Sequence, residues 1–159
     1  MDLEKPSLPF VSVQPQDFDL TSELLKLRQG HNNIGAVVSF VGLVRDINEG
    51  DDVSVLELEH YPGMTEKVLE KIRLEAHQRW KLEASLIIHR IGKLYPADQI
   101  VLVAVASQHR ENAFYAAHFI MDYLKTNAPF WKKETLPNGE VRWVDSRVSD
   151  QEAKKRWAT

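Results

Sequence analysis

Residues 107–134, SQHRENAFYAAHFIMDYLKTNAPFWKKE, hold the side chains best suited to chemistry. His109 and Arg110 directly follow an apolar run and sit where the next helix should begin. Lys125 falls in the last turn of that helix, and Lys132 and Lys133 lie on a strand beyond a proline turn. A helix N-terminus favours an anion through its free N–H groups and its dipole, and an arginine beside it can grip phosphate bidentately. The pattern points to one pocket that gathers His109, Arg110, Lys125 and Lys132 around an anionic ligand. Each residue also has a plainer reading. His109 and Arg110 could be a capping-region histidine and a surface arginine. Lys125 could simply complement the dipole. Adjacent lysines are often no more than a solvated face, although strand alternation puts Lys132 and Lys133 on opposite sides, so one of them can point inward.

Other candidates are sparser. Arg45 closes an apolar strand, and His60 and Tyr61 end a second strand that could reach the same rim. His31, His77, His89 and His118 are scattered, and no two histidines stand at helical i,i+3 or i,i+4 spacing, so no metal site is expected. There is no dinucleotide fingerprint, no phosphate-binding P-loop and no nucleophile elbow.

Composition narrows the function classes. The chain has 159 residues, 43% hydrophobic and 27% charged, which fits one globular domain with its own core. A formal charge of −3 argues against a protein that holds nucleic acid by counterion release. Local positive charge on a globally negative chain suggests a specific anionic ligand instead. There is no cysteine, which excludes disulfides, a thiolate nucleophile and zinc–thiolate sites. No basic–apolar leader opens the chain and no apolar run reaches membrane-spanning length, so a cytoplasmic location without membrane contact is expected.

The elements that must position these residues follow from periodicity. Residues 1–10 are proline-punctuated and expected to be flexible. Residues 11–19 read as a short strand with a turn, and Thr21 or Ser22 is predicted to cap a helix ending near Gly30. Residues 35–45, GAVVSFVGLVR, read as a strand buried on both faces, with Gly42 marking a bulge or a close backbone approach. A polar turn at 46–52 leads to a half-buried strand at 53–61. A helix from about Thr65 carries the stripe Val68, Ile72, Ala76 and Trp80. Strands follow at 84–92 and 100–107, the second the most apolar and expected to be central. The helix from about His109 has the stripe Ala113, Ala116, Ala117, Ile120, Met121 and Leu124. FWKKETL and EVRWV then flank Pro137-Asn138-Gly139 as a hairpin at about 130–145. A polar tail at 148–159 can form a last short helix. The sum is an α+β sandwich of one domain over 11–147.

The segments LEHYPGMTEK (58–67), IIHRIG (87–92), SQHRENAF (107–114) and MDYLKTNAPFWKKE (121–134) resemble the large subunit of molybdopterin synthase, the MoaE family. The resemblance runs from about Gly35 to Arg147. It implies an α/β hammerhead-like core with an added antiparallel β-hairpin subdomain. The implied activity converts cyclic pyranopterin monophosphate (precursor Z) into molybdopterin by inserting two dithiolene sulfurs. The implied sulfur donor is a small ubiquitin-like partner whose C-terminal Gly-Gly carries a thiocarboxylate. The implied assembly is a heterotetramer built on a homodimer of large subunits, with no resident cofactor.

Carried over by position, the family's pterin-site segment falls on Gly42, Leu43, Val44 and Arg45, and its His-Arg pair on His109 and Arg110. Its active-site lysines fall on Lys125 and Lys132, followed by Lys133 and Glu134. Some family members have lysine where this chain has Leu43. The resemblance also suggests an arginine that reaches the neighbouring protomer's site, with Arg147 and Arg142 both open. On this reading Arg45, His109 and Arg110 clamp the phosphate-bearing substrate, and Lys132 holds the anion or the partner's terminal carboxylate. Turning any lysine into a neutral base means lowering its pKa from about 10.4 to about 7, or roughly 4–5 kcal/mol. A phosphate alongside opposes that, so an ammonium that stabilises developing negative charge suits Lys125 better than a base. Two alternatives remain at this point: a Schiff-base lysine acting on a phosphorylated sugar, and a non-catalytic dimeric adaptor that docks a ubiquitin-like tail.

Overall fold

The computed structural model describes residues 10–48, 50–144 and 148–158, with backbone alone at 148 and 149. Two four-stranded sheets carry the fold. In the first the order is β1 (Val11–Gln14), β6 (Ala84–Arg90), β8 (Gln99–Ser107), β2 (Ala36–Leu43); β1 runs parallel to β6 and the other pairs are antiparallel. The second, all antiparallel, is β10 (Val141–Val144), β9 (Phe130–Thr135), β5 (Val55–His60), β7 (Gly92–Leu94). A small ladder, β3 (Ile47–Asn48) with β4 (Asp51–Asp52), fills the polar 46–52 segment. The mixed α+β architecture expected from the strand and helix pattern is the one observed.

Strand alternation sorts the core. On β8, Val101, Val103 and Val105 face α2 (Met64–Arg79) and α3 (Arg110–Asn127), and pack with Leu69, Ile72, Phe119 and Ile120. Leu102, Ala104 and Ala106 face the other way and pack with Phe18 and Leu27 around α1 (Leu20–Arg28). Such a strand must be apolar on both faces, which explains why its sequence does not alternate. A third cluster, Val44, Leu56, Leu58 and Leu94, forms the inner face of the second sheet.

Four details depart from the sequence reading. The cap of α1 is Asp19, whose carboxylate accepts from the Ser22 N–H at 2.8 Å; neither Thr21 nor Ser22 takes that role. A carboxylate there also satisfies the helix dipole. β2 is an edge strand, not a doubly buried one, and exposes Phe40 and Leu43. The expected strand 84–92 divides at Gly92, whose φ of +86° turns the chain out of the first sheet and into the second. The hairpin at 130–145 pairs with β5 and so forms half of the second sheet.

The chain's last elements, α4 (Val148–Lys154) and a 3-10 turn (Lys155–Trp157), fold back on α3. The Trp157 indole donates to Asp122 at 2.6 Å and stands edge-on to Trp80 and Phe119, while Lys154 and Arg156 reach Asn127 and Asp122, so the polar tail is anchored to α3. No helix among the described residues is long and apolar enough to cross a membrane.

Candidate active site

The two sheets diverge beside the C-terminal end of α3, and the gap is a cavity of about 340 Å³. Three segments bring cations to it. The first is the end of β2. A Cβ on Gly42 would lie 2.7 Å from Val101 Cγ1, so only glycine lets the strands approach this closely, and the register slips between Gly42 and Leu43. Val44 is then pinned: its N–H donates to the Asp98 carbonyl at 2.9 Å and its own carbonyl accepts from Ala97 at 2.8 Å. Burial of Val44 leaves Leu43 and Arg45 at the cavity rim, both exposed.

The second segment is the last turn of α3. Ala128 leaves helical geometry and Pro129 cannot continue the helix, so α3 stops with Lys125 at the cavity and at the negative end of the dipole. The third is β9. Alternation turns Phe130, Lys132 and Glu134 inward and Trp131 outward, and Lys132 and Glu134 both line the cavity. Lys133 does not line it; its ammonium lies 6.0 Å from the Trp143 ring centroid on the outer face. Of the two adjacent lysines, the structure therefore directs Lys132 inward.

Glu134 is buried, with 2% of its surface accessible, and its carboxylate is fully occupied. Asn48 donates its amide to one oxygen, and Arg142 lies 3.4 Å from the other. Arg142 also holds Asp51 at 2.8 Å and the Asn48 carbonyl at 2.9 Å. This network ties the β3–β4 ladder to the second sheet. Within the chain, Arg142, one of the two cross-subunit candidates, thus binds two carboxylates and a carbonyl. Arg147, the other cross-subunit candidate, lies outside the described residues.

His109 and Arg110 are not brought to this cavity. His109 is the N-cap residue of α3 and Arg110 its first residue, both exposed. Lys125 lies fifteen positions after Arg110, about 22 Å along an α-helix. Within one protomer the expected four-cation pocket thus divides into two poles, with Arg45, Lys125 and Lys132 at one and His109 and Arg110 at the other.

One cavity residue was read from the sequence only as one of several scattered histidines. His89, at the end of β6, is 4% exposed and lines the cavity. Its ring stacks on Phe130 with centroids 3.8 Å apart and 18° between planes. Nδ1 donates to the Arg90 carbonyl at 2.8 Å, since a carbonyl can only accept. Burial pushes the imidazole pKa down to about 3; the Arg90 hydrogen bond opposes this, and the charges of Lys132, Lys125 and His60 add to it. Alternation was the available signal. Ala84, Leu86 and Ile88 face α1, which leaves Ser85, Ile87 and His89 on the α3 side.

The model of the family described as MoaE protein matches residues 13–127. A molybdopterin synthase catalytic subunit of Ralstonia nicotianae is 61% identical over 150 residues, covering 94% of this chain and 85% of its own. Among solved structures, the molybdopterin biosynthesis MoaE protein of Burkholderia ambifaria superposes with a TM-score of 0.81 at 53% identity, covering 94% of this chain and 97% of that one. The molybdopterin synthase of Staphylococcus aureus gives 0.79 at 32% identity, over 87% and 98%. A match over most of the chain, in sequence and in fold, has one meaning: the chain belongs to the MoaE family.

Proposed function

We propose that this chain is the catalytic subunit of a molybdopterin synthase, which inserts two dithiolene sulfurs into cyclic pyranopterin monophosphate. The observation that carries this is the cavity that joins Arg45, Lys125 and Lys132 in a chain without cysteine. Such a protein can bind and activate, but it cannot itself carry transferable sulfur. The sulfur arrives on the C-terminal Gly-Gly thiocarboxylate of a small ubiquitin-like partner, whose tail enters the same cavity. Function in the cytoplasm, where such a biosynthetic partner is made, belongs to this reading.

The roles divide by position. Arg45, at the rim, clamps the anionic substrate; Leu43 and Val44 give it backbone and apolar contact. Lys125 remains an ammonium, favoured by the negative end of α3, and stabilises the charge that develops as thiocarboxylate sulfur attacks the substrate carbon and a carbon–oxygen bond there breaks; water then cleaves the acyl carbon–sulfur bond, leaving the sulfur on the substrate. Lys132 holds the partner's tail, which is a carboxylate once its sulfur has gone. Glu134 acts through Asn48 and Arg142 by fixing the β3–β4 ladder beside the cavity, and Lys133 supports β9 from the outer face. His109 and Arg110 serve the site of a second protomer in a homodimer, since they cannot reach their own.

Reconstitution tests the reading. Wild-type chain, thiocarboxylated small subunit and precursor Z should yield molybdopterin. Lys125→Ala should lower turnover by about 10²-fold or more, the loss typical of removing one preorganised charge stabiliser, while folding and partner binding persist. Near-normal turnover by that variant would sink the assignment of Lys125.

A further inference from the structure

The cavity that gathers Arg45, Lys125 and Lys132 is also lined by two acidic residues, Glu134 and Asp150. Glu134 is taken, with Asn48 donating to one oxygen and Arg142 lying 3.4 Å from the other. Asp150 is not. It sits half-buried in the first turn of α4, and among the described residues its carboxylate makes no hydrogen bond or ion pair.

The far end of the tail sets where Asp150 stands. Lys154 donates to the Asn127 side chain at 3.1 Å. Arg156 lies 3.3 Å from the Asp122 carboxylate, and the Trp157 indole donates to the same carboxylate at 2.6 Å. Asp122 and Asn127 flank Lys125 on α3, so the helix that brings Lys125 to the cavity also holds the helix that brings Asp150.

A carboxylate on the wall of a cation-lined cavity works against a simple anion, because like charges repel more strongly out of bulk water. It is useful where the ligand carries donors as well as negative charge. Arg45, Lys125 and Lys132 offer only N–H groups and can accept nothing. A pterin monophosphate has both needs. Its phosphate is anionic, and at the other end its aminopyrimidinone ring presents a ring N–H and the neighbouring amino group as two parallel donors. A carboxylate matches that pair with its two oxygens, as it matches two N–H groups of a guanidinium. Leu56, Ile100 and Phe130 add apolar wall for a flat ring.

We propose that Asp150 is the specificity-determining residue for the pterin ring: its carboxylate accepts from the ring N–H and the amino group of the aminopyrimidinone edge, while Arg45 holds the phosphate. The proposal rests on the synthase reading for its substrate. It gives the site a second end, one that reads the ring and not the charge.

The test follows the fluorescence of two small ring compounds on the full chain. One is hydroxymethylpterin; the other is hydroxymethyllumazine, in which an oxygen replaces the amino group. Wild type should bind the pterin about tenfold or more tightly than the lumazine, because the lumazine sets an acceptor against an acceptor. Asp150→Asn keeps the size but puts a donor in place of one acceptor, so it should abolish the preference, and Asp150→Glu should keep part of it. In the reconstituted synthase Asp150→Asn should raise KM for precursor Z about tenfold or more, with kcat changed less than about twofold. No preference in wild type, or a preference unchanged in Asp150→Asn, overturns the proposal. Tighter binding of inorganic phosphate by Asp150→Asn with that preference unchanged would show a carboxylate that only tempers the cations, and overturns it too. A wild type that discriminates the rings but forms no molybdopterin fails the synthase reading and keeps the assignment of Asp150 to the ring. A wild type that forms molybdopterin, with Asp150→Asn at full kcat/KM, does the reverse.

Discussion

At the scale of single residues, the cavity separates charge that must persist from charge that must be suppressed. Arg45, Lys125 and Lys132 stand at its rim and walls, while the imidazole of His89, 4% exposed, is held neutral beneath them. That neutrality has a thermodynamic sign. The folded pKa of about 3 lies below the ordinary histidine value of 6.5, so between those values the unfolded chain takes up a proton that the folded chain refuses. The contribution is fully present above about pH 6.5 and is lost as pH falls through that window, by about 1 kcal/mol per pH unit. His77 shifts in the same direction, because of its burial and then Arg73, and adds to the acid sensitivity. In urea titrations at pH 7, 5 and 4, the gap between wild type and His89→Gln should therefore narrow as the pH falls. A gap independent of pH would mean that His89 titrates normally in the folded state. The lysines were legible in the sequence because alternation and helix position are local properties. His89 was not, because a histidine among apolar residues reads the same whether it is a core filler or a cavity floor, and its stacking partner lies 41 residues away on β9.

At the scale of elements, the site is a junction where β2, β9 and α3 all end or begin. Gly42 is the tightest point of that junction, since a side chain there would press on Val101 Cγ1. Gly42→Ala should cost about 1–3 kcal/mol by overpacking, and it should raise KM for the anionic substrate by displacing Arg45, three residues on. Val101→Ala makes room for the added methyl, so the double variant should be more stable than the sum of the two single losses predicts. Additive losses in urea denaturation would show that Gly42 is required for something other than this close approach. The bulge at Gly42 could be anticipated from glycine inside an apolar strand. The edge position of β2 and the change of sheet at Gly92 could not, because strand order depends on pairings between residues distant in the sequence, from Leu58 with Gly92 to Ala36 with Ser107, and leaves no mark in local periodicity. The Asp19 cap was missed for a smaller reason: Asp19, Thr21 and Ser22, three capping residue types within four positions, offer alternatives that differ only in where the first turn closes.

At the scale of the whole molecule, α3 acts as a spacer. Its 18 residues hold Arg110 about 22 Å from Lys125, so on the proposed reading one protomer carries half a site at each end of a single helix. Within the chain, Arg142 pairs with Glu134 and Asp51. If a second copy supplies His109 and Arg110, two differently disabled chains must rescue each other. Lys125→Ala and Arg110→Ala homodimers should each be nearly inactive. A mixed dimer would contain one site that lacks both residues and one site that has both, the latter built from Lys125 of one chain and Arg110 of the other. Random reassortment makes about half of all dimers mixed and leaves about a quarter of sites intact, so denaturing and refolding an equimolar mixture should recover about a quarter of wild-type turnover. Simple mixing without subunit exchange should recover none. If each chain used its own His109 and Arg110, every site in every dimer would lack one residue or the other, and no mixture could exceed its components. Recovery after exchange alone therefore separates a site shared across the two-fold axis from one completed within a single chain, and it does so without knowledge of how the two copies dock.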